Sequence, residues 1–334
     1  MCAIEFAKFG CGHTRPNPPV GAIIVGDEGV LLGTGYHKKA GGDHAEVAAI
    51  KNARKKFGAA ADEKLRHSTL YVSLEPCSKA GRVGACTDAI VAAGIPRVVY
   101  AIDDPNPANR GRAAKVLAAK GVSCERYGGD DADVASEASR LIAPFKKHVE
   151  TGLPFVTVKI AMSLDGRICD DYGDARWISS EEAREETGGM RARIDAIMVG
   201  AETVRRDNPS LLCHQKKNPD LVRVVVSRSG NLPQDAQVFT DGKNETLVFA
   251  DAEEALRELG RRGCLHVLCE GGLNLARSLA DAGLVDEWIT VLSPCVVGHR
   301  RIKDAIRMKR ESARTVLGDG LGEMEDVIVT TVRR

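Results

Sequence analysis

No stretch of 18 or more apolar residues occurs in the 334-residue chain, so no transmembrane helix is expected. The first residues, MCAIEFAKFGCG, lack a basic flank followed by a long apolar run and do not read as a secretory signal. An excess of one charge is also missing. Lys and Arg number 47 against 46 Asp and Glu, a formal net charge of +1. A protein that lives on nucleic acid is expected to carry a strongly basic face. The one basic cluster here, KNARKK from Lys51 to Lys56, reads as the solvated side of a helix. There is no internal repeat and no low-complexity segment. No Gly-x-Gly-x-x-Gly follows a strand in the second half, so a Rossmann dinucleotide site is unsupported there.

What is present fits two globular domains, because the chain is too long for one domain of ordinary size. Ten cysteines are scattered along it, as expected in a reducing, cytoplasmic setting where thiols bind metal or fill core space. Cys124, Cys264, Cys269 and Cys295 are expected in cores. Strand-like and helix-like segments alternate in both halves, which predicts α/β domains with sheets covered by helices. In the first half GAIIV and VLLGTGYH read as strands about a turn at residues 26–29, Ala45 to Lys56 as a helix, and TLYVSLEP, RVVYAI and VSCERY as strands. Helices are expected from Thr87 to Gly94, from Arg112 to Lys120 and from Asp133 to Val149. The run Glu150-Thr151-Gly152-Leu153-Pro154 breaks the last of these. It divides a domain at 1–149 from one at 155–334, with 150–154 as linker. FVTVKIAMS, AIMVGA, VRVVVS, TLVFA, CLHVLCE, WITVLSPCVV and VIVTTV are strands of the second domain. SSEEAREETGGMRAR and NLARSLADAG are its helices, and Ser179-Ser180 ahead of Glu182 resembles a capping box.

One constellation carries chemistry. His44-Ala45-Glu46 stands where a helix begins, Pro76-Cys77 where a strand ends, and Cys86 where the next helix starts. Zinc favours four nitrogen and sulfur ligands and, when catalytic, keeps one position for water. His44, Cys77 and Cys86 supply three ligands and leave that position open. Both cysteines are expected near helix N-termini, where the dipole favours thiolate. Zinc brings its water towards a neutral pKa, and Glu46 can take that proton and return it to the ring and the leaving ammonia. His-x-Glu followed by Pro-Cys and a second Cys is the signature of zinc nucleobase deaminases, although eight residues rather than two separate the cysteines here.

Taken with PNPPVGAIIV (16–25), HAEVAAI (44–50), LEPCS (74–78), DPNP (104–107), TGLPFVTVKIAMSLDGRI (151–168), RWISSEEAR (176–184), VGAETVRRDNPSL (199–211) and CEGG (269–272), the chain resembles the bifunctional riboflavin-biosynthesis deaminase–reductases over nearly its whole length. The resemblance implies a cytidine-deaminase-like α/β/α sandwich followed by a dihydrofolate-reductase-like α/β domain. It implies zinc and NADPH as cofactors and a small-molecule partner, a pyrimidine ribose-phosphate. Its two reactions are deamination of 2,5-diamino-6-ribosylamino-4(3H)-pyrimidinone 5′-phosphate and reduction of the ribosyl group to ribityl. The family's cofactor contacts fall on Ala161, Trp177, Thr203, Asp207 and the run Gly272, Leu273, Asn274, Leu275, Ala276, Arg277 and Ser278. Substrate contacts fall on Asn17, Arg191, Leu211 and Glu270.

Residue chemistry agrees with several of these. Glu270-Gly271-Gly272 between a strand and a helix lets a phosphate approach backbone N–H groups at a positive helix end, though a plain tight turn remains open. Arg191 offers a fork for a phosphate, or a surface ion pair. Glu270 can accept hydrogen bonds from ribose hydroxyls. Asn17 can pair with both a donor and an acceptor on a ring edge, or serve only its turn. Asp207 could cap a turn and Trp177 could be core. The chain departs from the family's pattern at Lys79, Ala175, His214, Ser227 and Gly298-His299. Arg228, beside Ser227, is a cation placed to favour the 2′-phosphate of NADPH. Two alternatives stay open at this point: a reductase with a degenerate or substrate-shifted deaminase half, and a nucleic-acid-editing deaminase with an appended domain. A homo-oligomer is left open; a nucleic-acid or membrane partner is not expected.

Overall fold

The computed structural model describes residues 1–79, 84–128, 132–213, 216–307 and 327–332. It divides into two compact units, Met1–Gly152 and Leu153–Arg334.

In the first unit the elements are α1 (Cys2–Lys8), β1 (Gly21–Gly26), β2 (Leu31–Tyr36), α2 (Ala45–Phe57), α3 (Ala61–Arg66), β3 (Ser68–Val72), α4 (Cys86–Ala92), β4 (Arg97–Tyr100), α5 (Ala113–Ala118), β5 (Ser123–Arg126) and α6 (Ala132–Thr151). The sheet runs β2-β1-β3-β4-β5. The β1–β2 and β1–β3 pairs are antiparallel; β3–β4 and β4–β5 are parallel. The core collects Ile24, Leu32, Leu70, Val98 and the inward face of α2. Glycine decides how closely α2 can lie on the sheet. A Cβ at Gly35 would stand 2.4 Å from the Ala45 carbonyl oxygen, and one at Gly33 2.3 Å from that of Ala49. With no side chains there, the start of α2 settles directly on β2. Of the strand expected over TLYVSLEP, β3 ends at Val72, though Ser73 and Glu75 still donate to the Gly21 and Ile102 carbonyls on the way to Cys77.

In the second unit the elements are β6 (Phe155–Ser163), α7 (Glu181–Met190), β7 (Ala196–Gly200), α8 (Ala201–Asp207), β8 (Val222–Val226), α9 (Gln237–Thr240), β9 (Thr246–Phe249), α10 (Ala252–Arg261), β10 (His266–Cys269), α11 (Leu273–Asp281), β11 (Glu287–Ser293), β12 (Cys295–Val296), β13 (Ile306–Arg307) and β14 (Val327–Val332). The seven-stranded sheet runs β14-β11-β6-β10-β7-β8-β9. Only the β11–β14 pair is antiparallel. Strands such as AIMVG and VRVVV are buried nearly throughout, as a parallel sheet covered on both faces requires. α10 presents Ala252, Ala255, Leu256 and Leu259 to the core, and its Asp251 cap accepts from the N–H groups of Glu253 and Glu254. At α7, Ser180 is the cap and accepts from Ala183 N at 3.3 Å.

α6 runs past the expected break at Val149 to Thr151, and Gly152 then turns the chain with φ +74°. Helices α1, α3, α8, α9 and α10 were not expected. All ten cysteines are free thiols; Cys264, Cys269 and Cys295 are buried, while Cys124 is half-buried.

Candidate active sites

In the first unit the end of β3 and the starts of α2 and α4 meet. His44 is the N-cap of α2 and Cys86 is the first residue of α4. His44 Nδ1 lies 3.1 Å from Cys86 Sγ and 3.5 Å from Cys77 Sγ, and the two sulfurs are 3.2 Å apart. Zinc–sulfur bonds of about 2.3 Å and zinc–nitrogen bonds of about 2.0 Å put tetrahedral donors roughly 3.5 Å apart. The spacing and the chemistry of this donor set therefore fit zinc. The hydrogen bond between the thiols, with His44 beside it, brings the Cys77 thiol down to about 4 against the effect of burial. The same thiol pair and its burial push Cys86 up. Cys77 lies on no helix itself but stands near the N-terminus of α4, as expected, and the Cys86 backbone N–H donates to Cys77 Sγ at 3.2 Å.

Glu46, on the first turn of α2, is 3% exposed, and burial pushes its carboxyl up. Asn17 stands on the same side. Its Nδ2 lies 3.2 Å from Nε2 of His37, whose Nδ1 lies 3.0 Å from the Asp43 carbonyl oxygen. A carbonyl only accepts, so Nδ1 carries the hydrogen and Nε2 takes one from Asn17. Burial lowers the His37 pKa and favours this neutral ring. The His37 ring also meets that of His44 edge-on at 5.2 Å. A lone histidine after a strand carries no spacing signal, so nothing in the sequence marked His37. Lys79 is exposed, and residues 80–83 of the altered loop lie outside the described residues, as does His214.

In the second unit the connections define a crevice. β7 leads through α8 to β8 on one side, and its neighbour β10 leads through α11 to β11 on the other. Adjacent parallel strands whose connections depart in opposite directions open a cleft at their carboxyl ends. Gly200 ends β7, and Glu270-Gly271-Gly272 follow β10. A Cβ at Gly271 would stand 2.9 Å from the Gly200 backbone nitrogen, whereas nothing lies within 4 Å of one at Gly272. The first glycine serves close packing between the two strand ends; the second leaves the start of α11 open. Beside this opening Glu270 pairs with Arg191 Nη2, while Arg191 Nη1 donates to the Leu212 carbonyl at 3.2 Å. Arg191 Nε is buried and meets no acceptor among the described residues. Burial disfavours a charge on Glu270, yet Arg191 and Lys159 outweigh it and hold the carboxyl below its ordinary range. Lys159, on β6, was not among the sequence candidates.

Known proteins resolve the ambiguity left by the sequence. Residues 2–102 match the family model described as the cytidine and deoxycytidylate deaminase zinc-binding region, and residues 154–316 match that of the RibD C-terminal domain. The riboflavin biosynthesis protein RibD of Aquifex aeolicus is 32% identical over 96% of this chain and 95% of its own. The chain belongs to the RibD family. Escherichia coli RibD is 33% identical over 89% of this chain and 87% of its own. A Thermotoga maritima structure described as a diaminohydroxyphosphoribosylaminopyrimidine deaminase/5-amino-6-(5-phosphoribosylamino)uracil reductase superposes with a TM-score of 0.80 at 34% identity, covering 90% of this chain and 87% of that one. Acinetobacter baumannii RibD gives 0.77 at 30% identity, covering 99% and 96%. The protein is a bifunctional deaminase–reductase of riboflavin biosynthesis, with zinc and NADPH as cofactors. The expected pair of folds, deaminase-like then reductase, is borne out. The two alternative functions are not favoured.

The other candidates fall into two groups. Gly272, Leu273 and Asn274 are exposed at the start of α11, with Arg277 and Ser278 exposed further along it. Leu275 and Ala276 are instead turned into the core, so a cofactor can meet only their backbone. Leu211 is likewise 2% exposed and packed with Ile197 and Val225. Its backbone is left-handed at φ 60°, and its side chain is buried in that core. Trp177 is not core. It is 57% exposed, with the Arg184 guanidinium 4.3 Å over its ring. Asp207 ends α8 and does not cap a turn with its carboxylate; its carbonyl accepts from Arg176 Nη2 at 2.7 Å and its carboxylate lies 3.5 Å from the same group. Thr203 on α8 and Ala161 on β6 are half-buried, and Arg228 is exposed after β8. Arg191 is in an ion pair, but a half-buried one with another candidate and not one on the surface.

Proposed function

We propose that the first unit deaminates 2,5-diamino-6-ribosylamino-4(3H)-pyrimidinone 5′-phosphate at the His44–Cys77–Cys86 centre, and that the second reduces the deaminated ribosyl compound to its ribityl form in the crevice between β7 and β10. The observation that carries this is the convergence of three zinc donors beside a buried glutamate. Bound zinc supplies water acidic enough to give up its proton near neutral pH. Glu46 takes the first proton of the attacking water at its carboxylate and passes it to the ring nitrogen, then takes the second from the added hydroxyl and passes it to the departing amine. Its raised pKa suits both halves of that task. Asn17, its Nδ2 engaged by His37, offers its carbonyl oxygen to a donor on the pyrimidine edge.

In the second unit NADPH, when bound, supplies a hydride. The open N–H groups at Gly272, Leu273 and Asn274 receive its phosphates. Ala161, Trp177, Thr203 and Asp207 line the rest of its path, and Arg228 meets the 2′-phosphate. Arg191 fits the substrate phosphate because its buried Nε meets no acceptor among the described residues, and Glu270 orients ribose hydroxyls. Among the described residues no helix is long and apolar enough to cross a membrane. We place the protein in the cytoplasm, acting on a small molecule and on neither nucleic acid nor membrane.

The test is to incubate the protein with the pyrimidinone phosphate, with and without NADPH. Ammonia release without NADPH, then NADPH oxidation to the ribityl product, is expected. Glu46→Gln should slow ammonia release about a hundredfold or more and leave reduction of the deaminated compound intact. Unchanged ammonia release from this variant would remove Glu46 from the mechanism.

A further inference from the structure

Cys77 lies five residues past the end of β3 at Val72, where Glu75 N donating to the Ile102 carbonyl is the last strand-like backbone bond before it. One side chain grips the peptide groups on both sides of it. Asn109 is 7% exposed and uses all of its hydrogen-bonding capacity on four partners. Its Oδ1 accepts from the Ser78 backbone N–H at 2.8 Å and from Ser78 Oγ at 3.0 Å. Its Nδ2 donates to the Pro76 carbonyl at 3.3 Å and to Asp104 Oδ2 at 3.0 Å. The peptide groups before and after Cys77 are therefore gripped by one planar amide. The amide supplies the acceptor for one and the donor for the other. The Cys77 carbonyl itself accepts from Thr87 N at 3.2 Å.

The clamp is in turn held in place. Glu75 is 3% exposed, and its carboxylate accepts from the backbone N–H groups of Asp104, Gly111 and Ala113 at 3.2, 3.0 and 3.1 Å. It thereby pins both ends of the 104–113 segment that carries Asn109. The Asp104 side chain also accepts from Asn106 N at 2.8 Å. Every polar group in this network is engaged, a condition under which buried networks rigidify what they hold.

We propose that Asn109 is a positioning residue for the metal ligand Cys77, and that the Glu75–Asn109 network sets how tightly and in what geometry the centre retains zinc. This rests on the zinc reading of the site. Partners behind a metal ligand typically change affinity 10- to 100-fold when removed.

The experiment uses the full-length protein loaded with zinc. Zinc loss to a chromogenic chelator is followed for the parent, Asn109→Ala, Asn109→Asp and Leu65→Ala. The last is a control in the same core and outside the network. Asn109→Ala should lose zinc about 10-fold faster or more. Asn109→Asp keeps the acceptor for Ser78 but not the donor for Pro76, and should fall between it and the parent. Leu65→Ala should lower the unfolding midpoint without a comparable change in zinc loss. In the cobalt-substituted protein, the thiolate-to-metal absorption should shift in both Asn109 variants and not in Leu65→Ala. Should Asn109→Ala fail to fold, Asn109→Asp carries the same measurement. Zinc loss and cobalt spectra indistinguishable from the parent in a folded Asn109 variant would overturn the positioning role. A parent that retains no zinc at all would instead overturn the zinc reading beneath it.

Discussion

At the scale of single residues, the second unit contains a charge pair whose worth can be measured apart from catalysis. Arg223 is 1% exposed on β8 and meets Asp241 through two parallel contacts of 2.7 and 2.9 Å. The guanidinium holds the Asp241 carboxyl below its ordinary value of 3.8. A depressed folded-state pKa stabilises fully above the unfolded value, and that contribution fades as pH falls through the lower folded one. The second unit should therefore lose stability below about pH 4 through this pair. Asp241→Asn should remove that component of the acid sensitivity and cost about 3 kcal/mol near neutrality, because it leaves a buried guanidinium without a counter-charge. Both tryptophans, Trp177 and Trp288, lie in this unit. Their fluorescence during urea unfolding across a pH series reads the effect. A loss of only a few tenths of a kcal/mol near neutrality would count against it. The zinc donors and Glu46 were legible in the sequence because each residue type has a distinct chemistry in a recognisable order. His37 and Asn109 were not, since their roles depend on which backbone groups happen to be opposite.

At the scale of elements, α2 matters most, because its first turn carries both His44 and Glu46. Its seat is the glycine pair on β2. Gly35→Ala would bring a methyl to 2.4 Å from both the Ala45 carbonyl oxygen and the Ala49 nitrogen, so the helix must lift. Overpacking of this kind costs about 1–3 kcal/mol. We expect the first unit to be destabilised by that amount, with zinc retention and ammonia release both reduced. Zinc analysis together with a deamination assay would show it, and a fully zinc-loaded, active variant would contradict it. The long strand β6 was read from the sequence with its full extent, since nine consecutive residues of strand type are bounded by Pro154 and a turn. α8 and α9 were missed because they are too short for a 3.6-residue period to show. α10 is different: its apolar spacing and Asp251 cap were present in the sequence and left unassigned. The strand at TLYVSLEP was read past its end at Val72 because residue type alone does not say where regular pairing ends; beyond it Ser73 and Glu75 keep single backbone bonds to Gly21 and Ile102.

At the scale of the whole molecule, two units with separate cores carry separate chemistries. Removing zinc with a chelator should abolish ammonia release while NADPH oxidation with the deaminated compound continues. Parallel loss of both activities would show that the second unit depends on the metal. The sequence by itself determined the two α/β domains, the candidate zinc donors, the acid two residues from one of them and the resemblance to the family. These follow from composition, periodicity and ordered motifs, which are properties of the chain read along its length. The tertiary structure alone decided which candidate side chains are buried and which are exposed. It turned Leu211, Leu275 and Ala276 into the core, paired Arg191 with Glu270, and placed the crevice between two strands far apart in sequence. It also showed that Cys77 is held from behind by Asn109. Such facts depend on long-range packing and on the requirement that each buried polar group find a partner. A one-dimensional pattern does not encode either.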